Sequence, residues 1–155
     1  MRQSLHELAA MYQDNLFAVA FNICQNTQDA EDVIQDTFVQ YYTTKKEFDS
    51  EEHIRAWLIR VAVNKAKNVT RTFWRRNKVS IEDFTEMLAF ETPESETLFE
   101  TVMQLPKKYR IVIHLYYYED YSVGEIAKIL KLSESNVKTR LMRGRAKLRE
   151  VLKEE

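Results

Sequence analysis

The chain has 155 residues, and 23 Lys and Arg stand against 24 Asp and Glu for a formal net charge of −1. Two Gly, two Pro and a single Cys leave little room for hairpins and none for an internal disulfide framework, so an all-α chain in a reducing compartment is expected. No signal peptide is recognisable and no apolar run approaches the length of about 18 residues that a membrane span needs, so the expected location is cytoplasmic.

The first predicted helix runs from about Ser4 to Cys24, with Leu5, Leu8, Ala9, Tyr12, Leu16, Val19 and Ala20 at helical spacing. Cys24 falls on this apolar stretch and reads as core packing. A second helix is expected from about Gln28 to Thr44, capped by Thr27, with Ala30, Val33, Ile34, Phe38, Tyr41 and Tyr42 facing inward. After a loop at Lys45 to Ser50, a third helix begins near Glu51 and continues to about Trp74. Its residues Ile54, Trp57, Leu58 and Val61 form one apolar stripe and Ala56, Ile59, Val63 and Ala66 another, so it packs on two sides. Between the stripes Arg60, Asn64, Lys67, Arg71 and Arg75 share a polar strip at spacings of four, three, four and four residues. Such a track can follow a nucleic-acid backbone, and an Asn among cations can read a base edge. A solvated face with mixed partners is the alternative.

Charge then changes sign along the chain. From Ile54 to Ser80 every charged residue is basic, and from Ile81 to Pro106 every one is acidic. Residues 77–92 combine that acidity with weak periodicity and read as a flexible linker. The fold expected is therefore two small helical domains, 1–76 and 93–155, joined by an acidic segment. Thr92-Pro93 supplies an N-cap followed by Pro at the first helical position, and helices follow at about Glu94 to Gln104, Lys107 to Tyr118, Ser122 to Leu130 and Glu134 to Lys153.

The last two helices form a helix-turn-helix. Ser122 and Glu125 have capping-box spacing, Val123, Ile126, Ala127, Ile129 and Leu130 give a buried stripe, and Ser133 caps the second helix. The intervening turn has no glycine, so Lys131 or Leu132 must adopt its conformation. At about 100° per residue, Val137, Leu141, Gly144, Leu148 and Leu152 fall on one side of the second helix and Ser135, Asn136, Thr139, Met142 and Arg143 on the other. Lys138, Arg145 and Arg149 line one edge, Arg140 and Lys147 the opposite edge, and every ionisable residue from Lys138 to Arg149 is positive. That distribution suits a helix in a DNA major groove with phosphates on both sides. Two amphipathic core helices with a solvated charged face would explain the leucines but not the uniform sign.

Three runs carry a resemblance: Asp29-Ala30-Glu31-Asp32-Val33-Ile34-Gln35-Asp36-Thr37-Phe38, Ile54-Arg55-Ala56-Trp57-Leu58-Ile59-Arg60-Val61-Ala62-Val63-Asn64, and Leu105-Pro106-Lys107-Lys108-Tyr109-Arg110. In order and spacing they and the helix-turn-helix resemble the bacterial extracytoplasmic-function (ECF, group IV) sigma factors, across essentially the whole chain. The resemblance implies a dissociable subunit of RNA polymerase. Its first domain (sigma region 2) would bind core enzyme and open the minus-10 element, and its last (sigma region 4) would bind the minus-35 element.

Carried over by position, it implies that Glu31, Asp32, Gln35 and Asp36 meet the core polymerase, although plain helix solubility also accounts for them. It assigns Phe48, Asp49, Ser50, Arg60, Asn64, Lys67 and Arg71 to the minus-10 element, with the loop Phe48 to His53 receiving a flipped base. That loop carries Asp49, Glu51 and Glu52 and no glycine, so its base preference is its own. Ser135, Asn136, Lys138, Thr139, Met142 and Arg143 would read the minus-35 element, with Arg140 and Arg145 on phosphate. Promoter DNA and core RNA polymerase are the implied partners, together with an anti-sigma protein, in this family often membrane-bound. No small-molecule substrate or cofactor is implied.

Catalysis finds no support in the residues. His6, His53 and His114 are far apart with no Cys or carboxylate at metal-ligand spacing, so no metal is expected, and no phosphate-cradling glycine loop is present. Tyr116, Tyr117 and Tyr118 read as core and rim packing rather than a base-stacking platform. A stand-alone helix-turn-helix regulator with a helical dimerisation domain would use the same last helix. A helical adaptor binding only protein would leave both basic tracks unexplained.

Overall fold

Ser4 opens α1 (Leu5–Cys24): its hydroxyl accepts the Glu7 N–H at 3.1 Å, and the helix stops where Gln25 turns left-handed at φ 50°. In α2 (Thr27–Thr43) the capping side chain is that of Asn26, whose carbonyl oxygen accepts the Asp29 N–H at 2.9 Å. Thr27, the expected cap, instead begins the helix; two adjacent cap-type residues are a choice that local pattern leaves open. Ser50 starts α3 (Glu51–Phe73) by accepting the His53 N–H at 3.1 Å.

This is a computed structural model that describes residues 2–73 and 92–153, with no strand among them. The chain divides into two units, Met1–Asn77 and Lys78–Glu155. Apart from Thr92, the expected linker at 77–92 lies outside the described residues, as do Trp74, Arg75 and Arg76.

In the first unit α1, α2 and α3 each pack on the other two. Leu8, Leu16, Val19, Val33, Ile54, Leu58 and Ile59 meet in the core, and Ala20, Ala30, Ala62 and Ala66 allow close approach of the helices. Burying each large aliphatic side chain contributes about 1.5–3 kcal/mol. Cys24 is buried as expected, its thiol 3.7 Å from the Ala66 carbonyl. Two residues expected inside are outside: Leu5 is exposed, and Tyr42 is 74 % exposed near the end of α2. Leu5 opens α1, and Tyr42 lies on the solvent face of α2 with Val39, one residue beyond the buried Tyr41.

The second unit begins with α4 (Pro93–Met103), whose Glu96 N–H bonds the Thr92 carbonyl at 3.2 Å. Next, α5 (Lys107–Ile113) passes into a π-helical turn, His114–Tyr118, where a regular helix to Tyr118 was expected. The turn closes with the Glu119 N–H on the His114 carbonyl at 3.2 Å. Inside it His114 Nε2 lies 3.2 Å from Glu119 Oε2, both side chains buried, and the imidazole stacks on Tyr118. A one-residue widening leaves no mark on a period of 3.6, so the sequence pattern could not show it.

The helix-turn-helix follows as α6 (Val123–Leu130) and α7 (Glu134–Lys153). Ser122 accepts the Glu125 N–H at 3.1 Å while Glu125 accepts the Ser122 N–H at 2.9 Å, the reciprocal capping box. Lys131 takes the left-handed turn at φ 58°, ψ 48°, in the place a glycine would occupy without steric cost. Ser133 then accepts the Asn136 N–H at 3.0 Å and caps α7.

Candidate nucleic-acid and polymerase interfaces

The exposed face of α7 depends on how its other face is held. Val137, Leu141 and Gly144 are buried, Leu148 is half-buried and Leu152 is exposed, so the apolar stripe fades toward the helix end. Gly144 sits where α7 crosses α5: a Cβ placed there would lie 3.2 Å from Ile113 Cγ1 and 3.4 Å from Tyr109 Cβ. With that side anchored, Ser135, Asn136, Lys138, Met142 and Arg143 are exposed, and Thr139 and Arg140 are half-exposed. Met142, 58 % exposed, is a large apolar side chain offered to solvent on a polar face, the type of group that can meet a thymine methyl. Arg140 Nε donates to Asn136 Oδ1 at 3.0 Å, one helical turn away, so these two act as a pair.

Arg145 is placed differently from its neighbours. Its Nε donates to the Tyr117 hydroxyl at 2.6 Å, and its guanidinium lies 5.5 Å from the centroids of both the Tyr116 and Tyr117 rings. It lines a groove of about 620 Å³ with Leu98, Val102, Ile113, Leu148 and Arg149. Tyr117 and Tyr118 are exposed rather than packed into the core; partial burial of the Tyr118 phenol raises its pKa above the ordinary value.

In the first unit Arg60 and Asn64 are exposed on α3 and Lys67 is half-exposed one turn further on. Arg71 belongs to the same helix, its side chain outside the described residues. At the start of α3, Asp49 and Ser50 are exposed while Phe48 is only 2 % exposed. Phe48 thus has no surface to offer DNA: its ring stacks on Tyr41 at 5.7 Å and meets Trp57 and His53 edge-on at 5.5 and 5.1 Å. Its ring lies beneath the loop, so the surface expected of an aromatic beside a helix start is turned inward. The Asp49 N–H donates to His53 Nδ1 at 3.0 Å, fastening the loop over that ring. Below it Tyr12 donates to Glu51 Oε1 at 3.3 Å, and burial, followed by the charges of Glu51 and Glu52, raises the Tyr12 pKa.

On α2, Glu31, Asp32, Gln35 and Asp36 are all exposed, with Gln28 Nε2 donating to Asp32 Oδ1 at 3.1 Å. The same face continues into Val39, 59 % exposed, and Tyr42, which the sequence pattern left out or turned inward. Their spacing from Gln35, four residues and then three more, was the available signal. No cluster of three metal-ligating side chains occurs among the described residues, and no helix there is long and apolar enough to cross a membrane.

Two helical units, one with acidic and cationic helix faces and the other with a helix-turn-helix whose exposed face is cationic, define the class of helix-turn-helix proteins. The Sigma-70 region 2 family matches residues 8–78 and the Sigma-70, region 4 family matches residues 95–148. Among curated relatives, the ECF RNA polymerase sigma-E factor of Salmonella typhimurium is 31% identical over 76% of this chain and 70% of its own length. SigW, an ECF RNA polymerase sigma factor of Bacillus subtilis, is 28% identical over 96% of this chain and 88% of its own. Among solved structures, CnrH in complex with the cytosolic domain of CnrY is 30% identical with a TM-score of 0.70, covering 97% of this chain and 88% of that one. The sigma factor RpoE in complex with the anti-sigma factor NepR from Bartonella quintana shares the fold at a TM-score of 0.73 and 21% identity, covering 96% of each chain. The chain belongs to the ECF RNA polymerase sigma factors. It directs RNA polymerase to its promoters and promotes open-complex formation in transcription initiation.

Proposed function

We propose a division of that work between the units, with residues 1–76 binding core polymerase and opening the minus-10 element and residues 93–155 binding the minus-35 duplex. The observation that carries it is the exposed face of α7, where Ser135, Asn136, Lys138, Met142 and Arg143 stand free of the core beside an unbroken series of cations. Thr139 completes the reading set and Arg140 reaches phosphate. Arg145, engaged by Tyr117, contacts phosphate only on leaving that ring pair. On α3, Arg60, Lys67 and Arg71 follow the backbone of the downstream element, Asn64 reads a base edge, and Asp49 and Ser50 line the path of an extruded base. The exposed Glu31, Asp32, Gln35 and Asp36 meet a basic surface of the core enzyme.

Each DNA contact then needs only modest affinity, because polymerase holds both. The protein carries no catalytic chemistry of its own, works in the cytoplasm and falls in group IV. An anti-sigma protein is the expected regulator, since the solved RpoE and CnrH chains are bound to NepR and CnrY.

Site-specific photocrosslinking in the reconstituted holoenzyme tests the assignment. A crosslinker at Gln35 should capture core polymerase, at Ser50 the non-template strand near minus-10, and at Asn136 the upstream duplex. Capture of upstream duplex from Ser50, or of no DNA from Asn136, would reverse it.

A further inference from the structure

The short segment ahead of α1 reaches across to the far end of α2. Arg2 Nη1 donates to the Tyr41 carbonyl at 3.2 Å and Nη2 to the Thr44 carbonyl, so one guanidinium spans the helix terminus. There α2 supplies no basic residue of its own in its last turn, where cations are favourable and carbonyls lack helical partners. The Gln3 N–H donates to the Tyr41 hydroxyl at 2.9 Å, and that hydroxyl donates back to the Gln3 carbonyl at 3.0 Å. These contacts join residues 38 to 42 positions apart in the chain.

The latch ends on the support of the DNA-facing loop. The Arg2 guanidinium lies 5.0 Å from the Tyr41 ring centroid and 5.9 Å from that of Phe48. Phe48 in turn abuts His53, whose Nδ1 accepts the Asp49 N–H. An uninterrupted series of contacts therefore runs from Arg2 through Tyr41 and Phe48 to His53 and the backbone of Asp49.

We propose that Arg2 is a positioning residue for promoter opening: by capping α2 and pressing on Tyr41 and Phe48, it holds Asp49 and Ser50, the turn that leads into α3, in the shape that receives the melted strand. This rests on the reading that the loop meets the downstream element. Arg2 itself touches no base; it removes freedom from the loop before DNA arrives, so that less ordering accompanies capture of the strand. Lysine is a poor substitute, because a single ammonium cannot reproduce the planar fork that spans two carbonyls while lying against rings.

The test uses holoenzyme and a fluorescent non-template-strand oligonucleotide from a promoter mapped by sequencing the transcripts the protein induces. Arg2→Ala should weaken oligonucleotide binding about five- to ten-fold, the scale of a lost charged fork and cation–π contact, with Arg2→Lys intermediate. Affinity for the upstream duplex and for core enzyme should not change. In the free protein, hydrogen exchange at the Asp49 amide should accelerate in Arg2→Ala. Unchanged oligonucleotide binding, unchanged Asp49 exchange, or an equal loss on the upstream duplex would each overturn the proposal. Asp49→Ala and Ser50→Ala separate it from the reading beneath it. If they weaken the oligonucleotide and Arg2→Ala does not, only the latch falls; if neither weakens it, the loop reading falls and takes the latch's role in opening with it.

Discussion

In the first unit the exposed polar faces lie on two long helices, α2 and α3, that bury Ala30, Ala62 and Ala66 to approach their neighbours closely. In the second unit α7 is placed by its buried Val137 and Leu141 and by short elements: a capping box on Ser122, a left-handed Lys131 and a cap on Ser133. Both units combine a packed core with side-chain helix caps. The second adds a left-handed turn between its last two helices and one close crossing at Gly144. On the proposed division of labour, duplex recognition uses one helix aimed at a groove, which a tight turn and end caps can fix. Strand capture would use a loop held from beneath, the place that Tyr41, Phe48, His53 and Trp57 occupy.

The comparison breaks first at the cores. Leu58→Ala in α3 should lower the stability of the first unit by about 2–5 kcal/mol, and Leu141→Ala that of the second by a similar amount, since each creates a cavity at a buried site. Hydrogen exchange resolved by segment should show each loss confined to its own unit; a shared loss would make the two one cooperative body. Next come the DNA faces. Arg143→Ala should cost about 1–3 kcal/mol in upstream-element recognition if it makes a bidentate base contact. Asn64→Ala should leave that binding unchanged and reduce permanganate reactivity of the melted strand. Equal effects of both on upstream-duplex binding would contradict the division of labour.

Smaller changes sharpen the contrast in devices. Ser122→Ala should destabilise the second unit by about 1 kcal/mol through loss of the capping box, read as a fall in its urea midpoint. Lys131→Gly should stabilise the same unit by up to about 1 kcal/mol, read as a rise in that midpoint, because glycine occupies the left-handed region without the Cβ cost.

The smallest effect is a titration. The Tyr12 and Tyr118 phenols both have pKa values raised above 10.0, through burial and, for Tyr12, also through Glu51 and Glu52. A raised phenol pKa favours the neutral folded form, so its contribution is complete below 10.0 and declines as pH climbs beyond. Ultraviolet difference titration of Glu51→Gln should bring the Tyr12 transition down and leave that of Tyr118 in place.

Much of the helix-turn-helix was legible in advance because its determinants are local. Ser122 and Glu125 are three residues apart, Ser133 and Asn136 likewise, and the apolar stripe of α7 repeats within one helix. Absence of glycine from the turn even narrowed the left-handed position to Lys131 or Leu132, and Lys131 adopts it. The candidate site was less legible wherever a side chain's partner lies on another element. Phe48 read as a contact residue until Tyr41 and Trp57 enclosed it, and Arg145 read as a phosphate ligand although Tyr117, 28 residues earlier, holds it. Tyr42 follows the buried Tyr41 by about 100° round the helix and so falls on the solvent side with Val39.

By itself, then, the sequence determined that this protein is helical, that its charge is sorted into opposed tracts, and which faces of α3 and α7 are cationic. Those properties follow from periodicity, capping and composition, which act over a few residues. Tertiary structure alone decided that Phe48 is enclosed beneath its loop, that Arg145 is drawn to a tyrosine pair, and that Arg2 closes the end of α2. The last two rest on contacts between residues 28 to 42 positions apart, and the first on side chains of two helices, Tyr41 of α2 and Trp57 of α3, closing over Phe48; all three depend on how helices pack and not on any spacing along the sequence.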